Sequence, residues 1–89
     1  MVPDPEDAIA FNNGGKARHV QGDLEGAIAD YSEAIRLDPD DADSFYNRGV
    51  TRRDQGDLDA AMRDLHQAVR LSPTREDFRR SLDEVRRQT

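Results

Sequence analysis

ADSFYNRGVTRRDQGDLDAAMRDLHQAVRLSPTR, residues 42–75, follows an approximate copy of itself, AIAFNNGGKARHVQGDLEGAIADYSEAIRLDPDD, residues 8–41. Aligned without a gap, the two segments agree at 15 of 34 positions. The agreements are Ala8/Ala42, Phe11/Phe45, Asn13/Asn47, Gly15/Gly49, Arg18/Arg52, the QGDL blocks beginning at Gln21 and Gln55, Ala27/Ala61, Asp30/Asp64, Ala34/Ala68, Arg36/Arg70, Leu37/Leu71 and Pro39/Pro73. Small, turn and proline residues recur because backbone geometry dictates them, so the chain reads as a duplicated unit.

Each unit reads as a helical hairpin. Gly22 before Asp23, and Gly56 before Asp57, place a helix stop directly before a helix N-cap, the chemistry of a tight turn between antiparallel helices. Beyond the first turn, Leu24, Ala27, Ile28, Tyr31, Ala34, Ile35 and Leu37 fall at three- and four-residue spacing on one side of a helix over 24–37. Leu58, Ala61, Met62, Leu65, Ala68, Val69 and Leu71 repeat the stripe. Pro39 and Pro73 stand just past the helix ends, where proline is common.

The first helix is expected from near Glu6, with Asp4 or Glu6 at its start, to about Gln21, burying Ala10, Phe11 and Ala17. Gly14 and Gly15 each weaken it by up to about 1 kcal/mol relative to alanine, and Gly14 predicts a frayed or distorted turn. The corresponding helix of the second copy carries Phe45, Tyr46, Gly49 and Val50. After Pro73, Thr74 with Asp77 three residues on reads as an approximate capping box for a last helix to about Arg87, whose apolar stripe is only Phe78, Leu82 and Val85.

The 34-residue period and the run Phe11, Gly15, Ala27, Tyr31, Ala34, Pro39, repeated as Phe45, Gly49, Ala61, Leu65, Ala68, Pro73, resemble the tetratricopeptide repeat family. The sequence departs from the family pattern at Gly14, where a larger residue is usual, at Arg18 and Arg52, and at Leu24 and Leu58, where tyrosine is common. The resemblance implies an all-α fold: a right-handed superhelical stack of two helix-turn-helix repeats closed by a solvating C-terminal helix, five helices in all. Its divisions are an N-terminal segment and first helix cap over 1–7, repeats over 8–41 and 42–75, and the capping helix over 76–89. A plain helical bundle has the same helices but not the strict sequential stacking that a constant period demands. The last helix is alternatively the start of a third repeat.

Composition narrows the function. At 89 residues the chain has room for one small domain, and 35% apolar with 36% charged residues suits thin helical layers with solvated faces. The apolar residues keep helical spacing, which disorder does not require. A formal charge of −6 opposes nonspecific binding to nucleic acid or an anionic membrane. There is no cysteine, hence no disulfide or thiolate metal site. No apolar run reaches the length of a membrane span and the N-terminus lacks a signal-peptide pattern, so a soluble chain in the cytoplasm is the expectation.

No catalytic constellation is legible. His19 and His66 are read as solvent-facing and do not share a metal-binding spacing. The acidic run Asp38, Asp40, Asp41, Asp43 lacks the glycine and glutamate of a calcium loop and reads as helix capping. The QGD blocks lack the spacing of a phosphate cradle. The expectation is a module with no enzymatic activity, no cofactor and no metal.

The resemblance implies instead a protein-binding scaffold whose concave face is lined by the first helix of each repeat. Carried over residue by residue, that face comprises Asn12, Lys16 and His19, then Tyr46, Asn47, Val50 and Arg53, then Arg80 and Arg87 with Glu84. Four basic groups against one carboxylate favour an acidic segment or a C-terminal carboxylate as ligand. The carboxylate clamp of chaperone-binding members is mostly missing: Asn47 fits, but Asn12 stands where lysine is expected, Lys16 where asparagine is, and Glu84 and Gln88 at later basic places. The alternative is a spacer, or a module that pairs with itself to form a homo-oligomer through Ile9, Val20 and Tyr46, because roughly three repeats are usual for stability.

Overall fold

The structure is a computed structural model that describes residues 4–89; the first three residues of the expected N-terminal segment lie outside them. Among the described residues five helices follow one another without a strand: α1 Pro5–Val20, α2 Leu24–Leu37, α3 Ala42–Asp54, α4 Leu58–Leu71 and α5 Glu76–Gln88. Local chemistry explains four of the starts. The carboxylates of Asp4, Asp23, Asp41 and Asp57 accept hydrogen bonds from the backbone N–H groups of Glu6, Gly26, Asp43 and Ala60, satisfying donors that the first helical turn leaves without partners. Gly22 and Gly56 make the reversals in the left-handed region, each at φ 85°, where a side chain would be strained.

The start of α5 differs from the expected capping box. Its N-cap is Arg75, not Thr74, and no side chain caps it. The guanidinium of Arg75 instead donates to both oxygens of Asp77, at 3.0 and 2.8 Å, and lies 4.2 Å from the centre of the Phe78 ring. An ion pair and a cation–π contact thus replace the hydroxyl cap.

Packing follows sequence order. Helix α2 lies against α1 and α3, and α4 lies against α3 and α5, while α3 touches α1 and α5 more lightly. The result is two layers, α1–α3–α5 over α2–α4, as expected of a repeat stack and not of a plain bundle. Ala27, Tyr31 and Ala34 fill the first hairpin. Ala61 and Leu65 meet Leu82 and Val85, and Ala68 meets Phe78, so the narrow stripe of α5 covers the end of the second hairpin. Glycine is required where the hairpins close: a Cβ on Gly15 would fall 2.5 Å from Cε1 of Tyr31, and one on Gly49 would fall 3.0 Å from Cγ of Leu65.

Two expectations for α1 are corrected. Ala10 and Ala17 are exposed and Phe11 is 37% exposed; Ala8, Asn12 and Gly15 turn inward instead. The counterparts of Ala10 and Ala17 in α3, Ser44 and Thr51, are fully buried because a hairpin precedes them. Gly14 produces no distortion, since α1 is continuous and only Gly22 and Gly56 have positive φ. No helix is long and apolar enough to cross a membrane among the described residues.

Candidate functional site

The row α1–α3–α5 turns one side to α2 and α4 and leaves the other open, so the expected binding residues are judged by what they touch there. Asn12 is buried: its amide donates to Asp41 at 3.0 Å and to Ser44 Oγ at 2.7 Å, which ties α1 to the start of α3. It is a structural bond between hairpins, not an open contact. His19, read as solvent-facing, is half-buried and bridges the same helices, with Nε2 2.7 Å from Asp54 and Nδ1 3.4 Å from Thr51 Oγ1. Tyr46 is also engaged, its ring stacked on Phe78 at 4.7 Å and its hydroxyl accepting from Ser81 at 3.4 Å.

Asn47 and Val50 are half-buried on α3, and Lys16, Arg80 and Arg87 are exposed. Arg53 reaches Asp54 at 3.6 Å and Glu84 at 3.5 Å, so much of its charge is already balanced. Arg80 lies 3.8 Å from Glu76 along its own helix. Lys16 and Arg87 have no carboxylate within 4.0 Å among the described residues. The charge of the chain is split unevenly: residues 1–41 carry ten carboxylates against three basic side chains, and residues 42–89 carry nine against ten. Net charge is therefore −7 in the first repeat and its leader and +1 in the rest. An acidic ligand meets less repulsion over α3 and α5 than over α1 and α2.

Thr51, His19 and Asp54 superficially align like a hydroxyl, imidazole and carboxylate triad. The alignment cannot act on a substrate. Thr51 is fully buried, and its hydroxyl proton is directed at the carbonyl of Asn47, 2.8 Å away, so no nucleophile is delivered. The three side chains instead couple the hairpins.

The sequence reading missed a second coupling unit. Asp64 is buried and accepts two bonds from Arg48, at 2.9 and 2.8 Å, and one from Arg52 at 3.1 Å, while Arg48 also donates to Ser32 of the preceding hairpin at 3.2 Å. The signal was available, because Asp30/Asp64 and Arg18/Arg52 recur between the copies. A spacing of 12 residues spans the hairpin turn, which places both on facing helices. The His19–Asp54 contact had no such signal, since neither residue is repeated.

Against this architecture, residues 15–52 match a model described as TPR repeat, and residues 42–75 match one described as Tetratricopeptide repeat. The chain belongs to the tetratricopeptide repeat family. Among solved structures, it resembles the UNC-45 chaperone, whose structure is described by its features critical for binding and folding muscle myosin, at 27% identity and TM-score 0.84 over 91% of this chain and 9% of that one. It resembles the second tetratricopeptide domain of human RPAP3, in complex with the HSP70 peptide SGPTIEEVD, at 26% identity and TM-score 0.85 over 90% of this chain and 67% of that one. The first such domain of Spaghetti (RPAP3), bound to the HSP90 peptide SRMEEVD, shares the fold at 21% identity and TM-score 0.91, covering 97% of this chain and 68% of that one. The chain thus spans less than a tenth of the UNC-45 chain and about two thirds of the RPAP3 domains. No curated protein matches it in sequence.

Proposed function

We propose that this tetratricopeptide stack is a non-catalytic interaction module that holds an acidic peptide segment against the open side of α1, α3 and α5. The observation that carries the reading is that Lys16 and Arg87, which the repeat pattern assigns to that side, are exposed and have no carboxylate within 4.0 Å among the described residues. The likeness to an RPAP3 domain whose bound peptide is acidic supports it. Lys16, Arg53, Arg80 and Arg87 attract the carboxylates, Asn47 supplies an amide, and Val50 offers a small apolar surface between them. Asn12, His19 and Tyr46 shape the floor, because each is occupied in joining neighbouring helices. The departures from the carboxylate clamp argue against a chaperone tail as the natural ligand.

Fluorescence anisotropy with an acidic peptide and a basic peptide of equal length tests the proposal. The acidic peptide binds more tightly, its affinity falls with added salt, and replacing Lys16 and Arg87 together by alanine weakens it about tenfold, equivalent to about 1.4 kcal/mol. Equal affinity for both peptides, unchanged by salt, would end this reading.

A further inference from the structure

Two arginines lie between carboxylates of α3 and α5, and they are held in different ways. Near the starts of the two helices, the Arg75 guanidinium is 3.3 Å from Asp43 of α3 and 2.8 Å from Asp77 of α5, and it rests on the Phe78 ring. Near their ends, Arg53 is 3.6 Å from its neighbour Asp54 and 3.5 Å from Glu84 of α5. The contact of Arg75 with Asp77 has the length of a good hydrogen bond. Those of Arg53 are longer than an ordinary N–H···O bond, so charge holds its guanidinium while neither acid matches the donor fork. Asp54 is drawn the other way, toward α1, where Nε2 of His19 lies 2.7 Å from it. His19, Asp54, Arg53 and Glu84 thus form a chain of contacts that crosses all three helices. Glu84 is its most exposed member, with 56% of its side chain in solvent against 27% for Arg53. A carboxylate so placed regains water when it leaves its partner, and the contact is weak.

We infer that Glu84 stands in for a ligand carboxylate: it holds Arg53 in the free chain and gives way when an acidic segment docks, so it sets how strongly acidic a ligand must be. The inference rests on the reading that the α1–α3–α5 side takes an acidic segment. A ligand carboxylate aligned with the guanidinium fork makes two charge-assisted hydrogen bonds where Glu84 makes one long contact, and that difference drives the exchange. A neutral or basic segment offers Arg53 nothing in return and leaves Glu84 in place. Arg75 is not open to the same exchange, because leaving Asp77 gives up two hydrogen bonds, at 3.0 and 2.8 Å, and the contact with Phe78. Glu84 therefore acts on specificity through Arg53, as a built-in competitor.

The acidic and basic peptides of the anisotropy experiment test it. Glu84→Gln binds the acidic peptide about fivefold more tightly than the parent chain does. Asp83→Asn is the control, since it removes the same charge from the adjacent residue, whose side chain is 57% exposed and lies beside Arg86 instead; its effect stays below about twofold. In an Arg53→Gln chain, Glu84→Gln brings no gain. Three outcomes would overturn the inference while the acidic-peptide reading stands: a parent chain that prefers the acidic peptide but gains nothing from Glu84→Gln, an equal gain from Asp83→Asn, or a gain that persists without Arg53. Indifference to peptide charge in both the parent and Glu84→Gln chains ends that reading, and the inference with it.

Discussion

Asp30 and Asp64 hold the same place in the two repeats, but their surroundings have diverged. In the second repeat Asp64 is 5% exposed at its side chain and is gripped by Arg48 and Arg52, which also draws in Ser32 across the hairpin boundary. In the first repeat the position of Arg48 is Gly14; Asp30 keeps Arg18 alone, at 3.0 Å, with 21% of its side chain exposed and more than half of Arg18 in solvent. Arg18 divides itself further by donating to Asp23 at 3.1 Å. The same acid is a closed internal unit where a hairpin lies in front of it and a solvated surface pair where none does. The comparison teaches that the value of a repeated residue depends on its neighbour in the stack as much as on its own unit.

The largest test of that difference is to remove the acid from each repeat. Asp64→Ala leaves two partly buried guanidinium groups without their carboxylate and is expected to lower stability by about 3–5 kcal/mol, whereas Asp30→Ala is expected to lower it by less than about 1 kcal/mol. Urea unfolding followed by circular dichroism measures both, and equal losses would break the comparison.

A smaller contrast lies at the two close approaches. Gly15→Ala pushes a methyl group against Cδ1, Cε1 and Cζ of the rigid Tyr31 ring, while Gly49→Ala meets the branched end of Leu65. Overpacking of this kind costs about 1–3 kcal/mol, and the first substitution should fall at the upper end and the second at the lower. Thermal melting of the two variants side by side reads the order; a reversed order would show that the ring yields more readily than the aliphatic chain.

The smallest effect is a dependence on pH. Asp23 is held below the usual carboxylate range, first by the backbone N–H of Gly26 and then by Arg18; Glu33 is held down by its bond from Arg36, and Asp77 by its bond from Arg75. A carboxyl with a lower pKa folded than unfolded contributes stability above the unfolded value, about 4, and loses that contribution as pH falls through the folded value. The melting temperature is therefore expected to fall on acidification below about pH 4. Because Asp23 and Glu33 both lie on the first hairpin, amide protection relative to the intrinsic exchange rate should fall in α1 and α2 in acid before it falls in α4.

How much of this was legible in sequence can be traced residue by residue. The span of α2, Leu24–Leu37, follows from a stripe bounded by Asp23 and Pro39, and both turns follow from Gly22 and Gly56, because those signals act within a few residues of backbone. The start of α5 did not follow, since Arg75 found an acid and an aromatic ring that outweighed the hydroxyl of Thr74. Within the candidate site, Lys16 and Arg87 are exposed, but Asn12, His19 and Tyr46 are spent on bonds between helices. A family position tells which helix face a residue occupies, not whether a side chain one repeat away will reach it.

The amino-acid sequence alone determined the unit: a hairpin of two helices, its turn, its stripe and its duplication, all fixed by spacing and by backbone preference over short distances. Only the tertiary structure decided which copy of each position is buried, that Asp64 joins two arginines while Asp30 keeps one, and that α1 retains an apolar face. Burial is a property of what stands in front of a residue, and in a stack that neighbour lies a full repeat away in sequence.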